Sequence, residues 1–220
     1  ANYLALSFQR PLVDDTLVAL DALLGFDWPS FMALAAQYPS LSLPGALLYI
    51  SSLFQFAIII TALGLTGRTW QMHEFVIVKL FAGVIAIGFW SLFPSFGPTA
   101  YFGLSPEIEA VINPVVDSAY GRELLALHAH GPGLITPTEA KGLIAFPSFH
   151  TVMALTAIIG AWHVPWLRWP FLVINLAMLP AIIVHGGHHL VDLIGGALTV
   201  VFAMALTHAV LRRTGAFSSA

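Results

Sequence analysis

The stretch LSLPGALLYISSLFQFAIIITALGL, Leu41 to Leu65, runs for 25 residues without a charged side chain. A helix of about 20 apolar residues crosses the hydrocarbon core of a bilayer, with a working range near 17–25. The run is not alone. Phe75–Phe93, Phe149–Val164, Phe171–His185 and His189–Leu211 are apolar enough to be spans too, the middle pair at the short limit. The whole chain agrees, with 58% hydrophobic and only 9% charged residues among 220, where soluble domains carry roughly 25% charged. So few charges could not cover the surface of a water-soluble fold. The expected fold class is all-α: a polytopic membrane bundle of about five transmembrane helices. N-terminal interfacial helices over 1–40 precede a transmembrane body over 41–213, and an outer loop over 94–147 interrupts that body.

The segment before the first span reads as two short helices lying along the membrane interface. Pro11 to Leu24 is amphipathic, with Pro11 suited to a first helical position and Asp14 and Asp15 to a first turn. Val13, Leu17, Leu20 and Leu24 recur at helical spacing, opposite Asp14 and Asp21. GFDWPSFMALAAQYPS follows as a turn and a second helix, again too short to span. The opening ANYLALSF lacks the basic start of a signal peptide, so none is expected.

Charge orients the bundle. One side of the spans carries Arg68, Lys79, Arg168, Arg212 and Arg213 against the single acid Glu74. The other carries Arg10, Arg122 and Lys141 against ten acids. This positive-inside bias makes the first side cytoplasmic, and Trp70, Trp162, Trp166 and Trp169 fall there as an interfacial belt. A net charge of -3 with no basic cluster beyond Arg212-Arg213 gives no reason to expect a nucleic-acid partner. Cysteine is absent, which removes disulfides, thiolate metal sites and a cysteine nucleophile.

The same map sorts the nine histidines. AFPSFHT, Ala145 to Thr151, puts His150 at the outer start of the third span. VHGGHHLVD, Val184 to Asp192, puts His185, His188, His189 and Asp192 at the outer ends of the fourth and fifth. With the fifth helix starting near His188, Asp192 lies four residues on, on the same face. A carboxylate there fixes the imidazole tautomer and raises the basicity of the other nitrogen, which makes the ring a nucleophile. His150, on another helix, is placed to protonate a leaving oxygen. The backbone N–H groups that start its helix, with the Ser148 hydroxyl, could receive an anion. Nucleophile, acid and anion pocket together point to phosphoryl transfer through a phosphohistidine.

PSFH and HGGHHLVDLIGG resemble the second and third signature motifs of the type 2 phosphatidic acid phosphatase superfamily, most closely its branch with inositol phosphorylceramide synthase and related bacterial proteins. The resemblance covers most of 41–211, although only about twenty residues carry motif identity. It implies that His188 attacks phosphorus, that Asp192 supports it and that His150 protonates the leaving group. It also implies a phospholipid or sphingolipid substrate and no metal or other cofactor. The chain is then a lipid phosphotransferase or phosphatase, expected in a bacterial inner membrane with its site facing the periplasm. The departures concern cations. The family's first-motif Lys and Arg-Pro are missing, Ile182 stands where the third motif has Arg, and Phe149 replaces the Gly of Ser-Gly-His. The sphingolipid synthase branch lacks the full cation set too, which favours transfer over simple hydrolysis. By elimination, Arg122, Lys141, His185 and His189, with Ser148, are the candidates to bind phosphate.

Within the outer loop, SPEIEAVI and SAYGRELLALHA read as short helices, the first capped by Ser105, and together they suit a lid. Pro94 and Pro98 read as helix terminators, and Gly195-Gly196 as a site of close helix packing. Other readings stay open beside phosphotransfer. His185, His188, His189 and Asp192 could ligate zinc, paired histidines could ligate haem, and a catalytically degenerate member could simply bind a lipid head group.

Overall fold

A computed structural model describes residues 2–6, 8–131 and 142–213. Among them all regular structure is helical, in the order α1 (Asn2–Leu6), α2 (Asp14–Leu23), α3 (Trp28–Ala35), a 3-10 turn (Pro39–Leu41), α4 (Ser42–Leu65), α5 (Thr69–Leu92), α6 (Pro98–Phe102), α7 (Pro106–Ile112), α8 (Ser118–His130), α9 (Phe149–Trp162), α10 (Arg168–Gly186) and α11 (Leu190–Arg213). Side-chain caps set several starts. Asp27, Ser105, Asp117 and Ser148 each accept a backbone N–H from three residues on, which satisfies one of a helix's orphan donors.

Four helical stretches are long and apolar enough to cross a membrane: Pro39–Leu65, Thr69–Leu92, Arg168–Gly186 and Leu190–Arg213. The third expected span is shorter than the rest. α9 has 14 residues, about 21 Å at 1.5 Å per residue. It can be short because it is the central helix, packed on α4, α5, α10 and α11. The segment that leads into it, with Leu143, Ala145 and Ser148 buried, is non-helical. Irregular backbone at membrane depth is tolerated only where protein surrounds it and supplies partners. Here Phe146 N donates to Ser95 Oγ (3.0 Å) and Ser148 N to Asp192 O (3.0 Å).

Small residues let α9 sit at the centre. Ala154, Ala157 and Ala161 are buried, and a Cβ on Gly160 would lie 2.9 Å from Ile59 Cγ2. Gly196 of α11 is tighter still, its would-be Cβ 2.6 Å from the Ser148 carbonyl oxygen, so the expected close packing at Gly195-Gly196 is present. The outside of the bundle is apolar and exposed, as at Leu53, Leu80, Val173, Val201 and Phe202. That much open apolar surface suits lipid, not water. Arg68, Arg168, Arg212 and Arg213 gather at one end of the bundle with Trp162, Trp166 and Trp169, and His208 there pairs with Glu74 at 2.6 Å. The motif histidines sit at the opposite end.

The N-terminal helices depart from the sequence reading. α2 begins at Asp14, not Pro11, and Asp14 and Asp21, expected opposite the apolar face, share its buried face with Leu17. Asp14, Leu17 and Asp21 are buried while Leu20, Leu23 and Leu24 are exposed. Periodicity alone assumes that carboxylates seek water. Here they are drawn inward by backbone donors that only the folded chain presents. α2 and α3 are bent by 74° and each is too short to cross alone. α7 and α8 form where expected, and Pro98 starts α6 instead of ending a helix, since proline fits a first helical position.

Candidate active site

The site is built on the turn between α10 and α11. Gly187 ends α10 in the left-handed conformation (φ 59°), and a Cβ there would meet Thr99 Oγ1 at 2.2 Å, so only glycine fits. His188 and His189 follow, then α11. Asp192 Oδ2 accepts from His189 N (2.9 Å) and from His188 Nδ1 (3.0 Å), with both side chains buried. A carboxylate only accepts, so Nδ1 of His188 donates to Asp192 and Nε2 is the nitrogen left for substrate.

His150 faces this ring from the first turn of α9. The two imidazole centroids are 6.3 Å apart at 60°, and His150 stacks on Tyr49 of α4 at 3.9 Å. Both histidines line a cavity of about 70 Å³ together with Tyr49 and with Val116, Tyr120 and Leu124 from the outer loop. That loop therefore roofs the cavity, as a lid does. The Ser148 N to Asp192 O bond ties the start of α9 to the start of α11, so both rings are held by one local framework.

The remaining predicted residues are placed differently. Ser148 is fully buried, and its hydroxyl accepts from Thr151 N at 3.3 Å, committed to capping α9. His189 is also fully buried, its Nδ1 2.9 Å from Asp21 Oδ2. Burial works against its charged form. The Asp21 hydrogen bond and the nearby Asp192, Asp21 and Asp14 charges outweigh it, and the ring's pKa stays above the usual histidine value. His185 lies on the other side of the α4–α10 contact. A Cβ on Gly45 would sit 2.7 Å from its Nε2, and it lines a separate apolar cleft. Arg122 is exposed, two residues from the cavity-lining Tyr120 and so on the opposite face of α8. Lys141 lies outside the described residues. Among the described residues no Lys or Arg lines the cavity, and no three His, Asp or Glu side chains converge as a metal site.

Three residues of the site escaped sequence reading. Tyr49 had a weak signal, as a polar-tipped ring near the outer end of an apolar span. Tyr120 donates from its phenol to Gly142 O at 2.8 Å and thereby joins α8 to the segment before α9. Asp21 is separated from His189 by 168 residues, and nothing local links the two.

Among protein families, the one described as the PAP2 superfamily matches residues 15–206 of the chain. Curated proteins and solved structures return no match.

Proposed function

Because the chain belongs to the PAP2 superfamily, whose members are phosphatases and phosphotransferases, we propose that it moves a phosphoryl or phospho-head group of a membrane lipid through a phosphohistidine on His188. One observation carries the reading: His188 is held by Asp192 at 3.0 Å and faces His150 across a small cavity. In the first step His188 Nε2 bonds to phosphorus as the P–O bond to the leaving group breaks. His150, protonated, gives its proton to the departing oxygen. The Nδ1–H of phosphorylated His188 stays on Asp192, which balances the positive charge on the ring. In the second step an alcohol or water attacks phosphorus, His150 takes its proton, and the N–P bond breaks.

A lipid substrate is supported by the cleft beside the site. It measures about 420 Å³ and runs between α3, α4, α7 and α10, lined by apolar side chains such as Leu34, Leu48, Ile112 and Val184. His185 is in its wall, and the next residue, Gly186, lines the catalytic cavity. A hydrocarbon tail in the cleft would bring its head group to the wall that His185 and Gly186 form between cleft and cavity. Transfer to an alcohol, as in the inositol phosphorylceramide synthase branch, is the favoured outcome, because the cavity offers no Lys or Arg among the described residues to hold free phosphate. The same lack favours one other reading, a degenerate member that binds head groups without turnover.

The purified chain in detergent with excess chelator, given phosphatidate and phosphodiester lipids with and without added alcohols, should transfer phosphate. Products partitioning toward the alcohol would mark a transferase, and free phosphate alone a phosphatase. Abolition by chelator would overturn the metal-free mechanism, and inertness across donors would favour the binding protein. The site faces the periplasm in this proposal, since the Arg-rich end is cytoplasmic. The chain has no cysteine, so single replacements report the face directly. An impermeant maleimide on spheroplasts should label Glu107→Cys, in the outer loop, and spare Thr69→Cys, at the start of α5. The reverse pattern would invert the topology.

A further inference from the structure

We propose that Asp21, on the N-terminal helix α2, is a positioning residue for the phosphotransfer site, holding the His188–His189 turn where Asp192 can grip His188. The proposal rests on the phosphohistidine reading above for its catalytic meaning, while its geometry stands by itself.

Asp21 is only 3% exposed. A carboxylate buried so far is costly unless its oxygens are hydrogen-bonded. Oδ1 accepts from Val191 N (2.9 Å), and Oδ2 accepts from Leu190 N (3.2 Å) and His189 Nδ1 (2.9 Å). Leu190 and Val191 are the first two residues of α11, whose N–H groups have no partner inside the helix. A negative charge is also favoured at a helix N-terminus. Asp21 thus caps α11 from a different part of the chain and grips a side chain in the same turn.

Asp192 completes the arrangement from within α11. Between them the two carboxylates hold the backbone N–H groups of residues 189, 190 and 191 and the Nδ1 atoms of both histidines. Seven residues earlier on the same face of α2, Asp14 accepts from Phe96 N (3.1 Å) and Gly97 N (2.8 Å). The loop so held packs on the turn from its other side, since a Cβ on Gly97 would meet Gly187 O at 2.3 Å. α2 is therefore clamped to the catalytic turn at two points, and removing Asp21 leaves Leu190, Val191 and His189 without their acceptor.

The test uses the full chain in detergent with dioctanoyl phosphatidate as donor, comparing wild type with Asp21→Ala and Asp21→Asn, and with His188→Ala as control. Asp21→Ala should lower kcat by about 10- to 100-fold, as loss of an outer orienting group does, with KM changed by less than about two-fold. Asp21→Asn keeps an oxygen acceptor and should fall between the two. Independently of turnover, ¹⁵N shifts of His188 should report the Nδ1–H tautomer in wild type and an averaged ring in Asp21→Ala. Wild-type kcat with an unchanged His188 spectrum in Asp21→Ala would overturn the proposal. So would a kcat loss that only follows the loss of folded protein. If Asp21→Ala does not fold, the nearly isosteric Asn variant decides by the same two readouts. A fully active His188→Ala, or an inert wild type, would remove the phosphohistidine reading instead, and the tautomer would still decide whether Asp21 positions the ring.

Discussion

His188→Ala is expected to lower turnover at least about 10⁴-fold, the scale on which removing a nucleophile acts, and to leave no phosphoenzyme. The reason is geometric. Among the described residues lining the cavity, His188 is the one ring held by a carboxylate, at 3.0 Å through Nδ1, which leaves Nε2 to attack phosphorus while Asp192 supports the charge that develops. His150, stacked on Tyr49, has no carboxylate partner of this kind among the described residues. Rapid acid-free quenching of wild type with ³²P-labelled donor should give label on protein that is stable to base and lost in acid. Peptide mapping should place it at His188. Label at His150, or full activity in the alanine variant, would exchange the two roles or end the mechanism. The substitution removes a buried ring, but Gly187 and the Asp21 and Asp192 bonds to the backbone at 189–191 remain to hold the turn.

The second large effect is expected at His150. As the general acid its removal should cost about 10²- to 10⁴-fold with an alkoxide leaving group. The loss should shrink sharply with an acidic leaving group such as nitrophenol, which needs no proton to depart. Phosphoenzyme should then accumulate in His150→Ala, because the same ring is needed as base to activate the acceptor alcohol. Comparing kcat for alkyl and nitrophenyl phosphoesters in wild type and variant checks this. An equal loss with both donors would mean that His150 only binds phosphate.

How much was legible in the sequence can be judged on particular residues. The pairing of His188 with Asp192 was readable because it is local. Only four residues separate them, and although α11 starts at Leu190 and not near His188, Asp192 in its first turn reaches back to the ring. The spans were readable because a long apolar helix has few environments open to it. α9 was harder. Phe149–Val164 reads as a span at the short limit, and the central place of α9 among four other helices depends on contacts that no window of sequence contains. The phosphate-binding candidates show the same limit. Ser148 and His189 had the right chemistry at the right depth, but Ser148 Oγ caps α9 and His189 Nδ1 is bonded to Asp21, contacts that no local pattern shows.

The sequence by itself determined an all-helical membrane chain, the depth of its histidines and the nearest-neighbour dyad of His188 and Asp192, because helix geometry and bilayer thickness act over short stretches. Tertiary structure alone decided that Tyr49 backs His150, that Tyr120 roofs the cavity and that the acids of α2 turn inward to the start of α11. Those outcomes rest on unsatisfied backbone donors and apolar faces brought together from distant parts of the chain. The energy of burying Asp21 has no meaning until Leu190, Val191 and His189 are there to meet it.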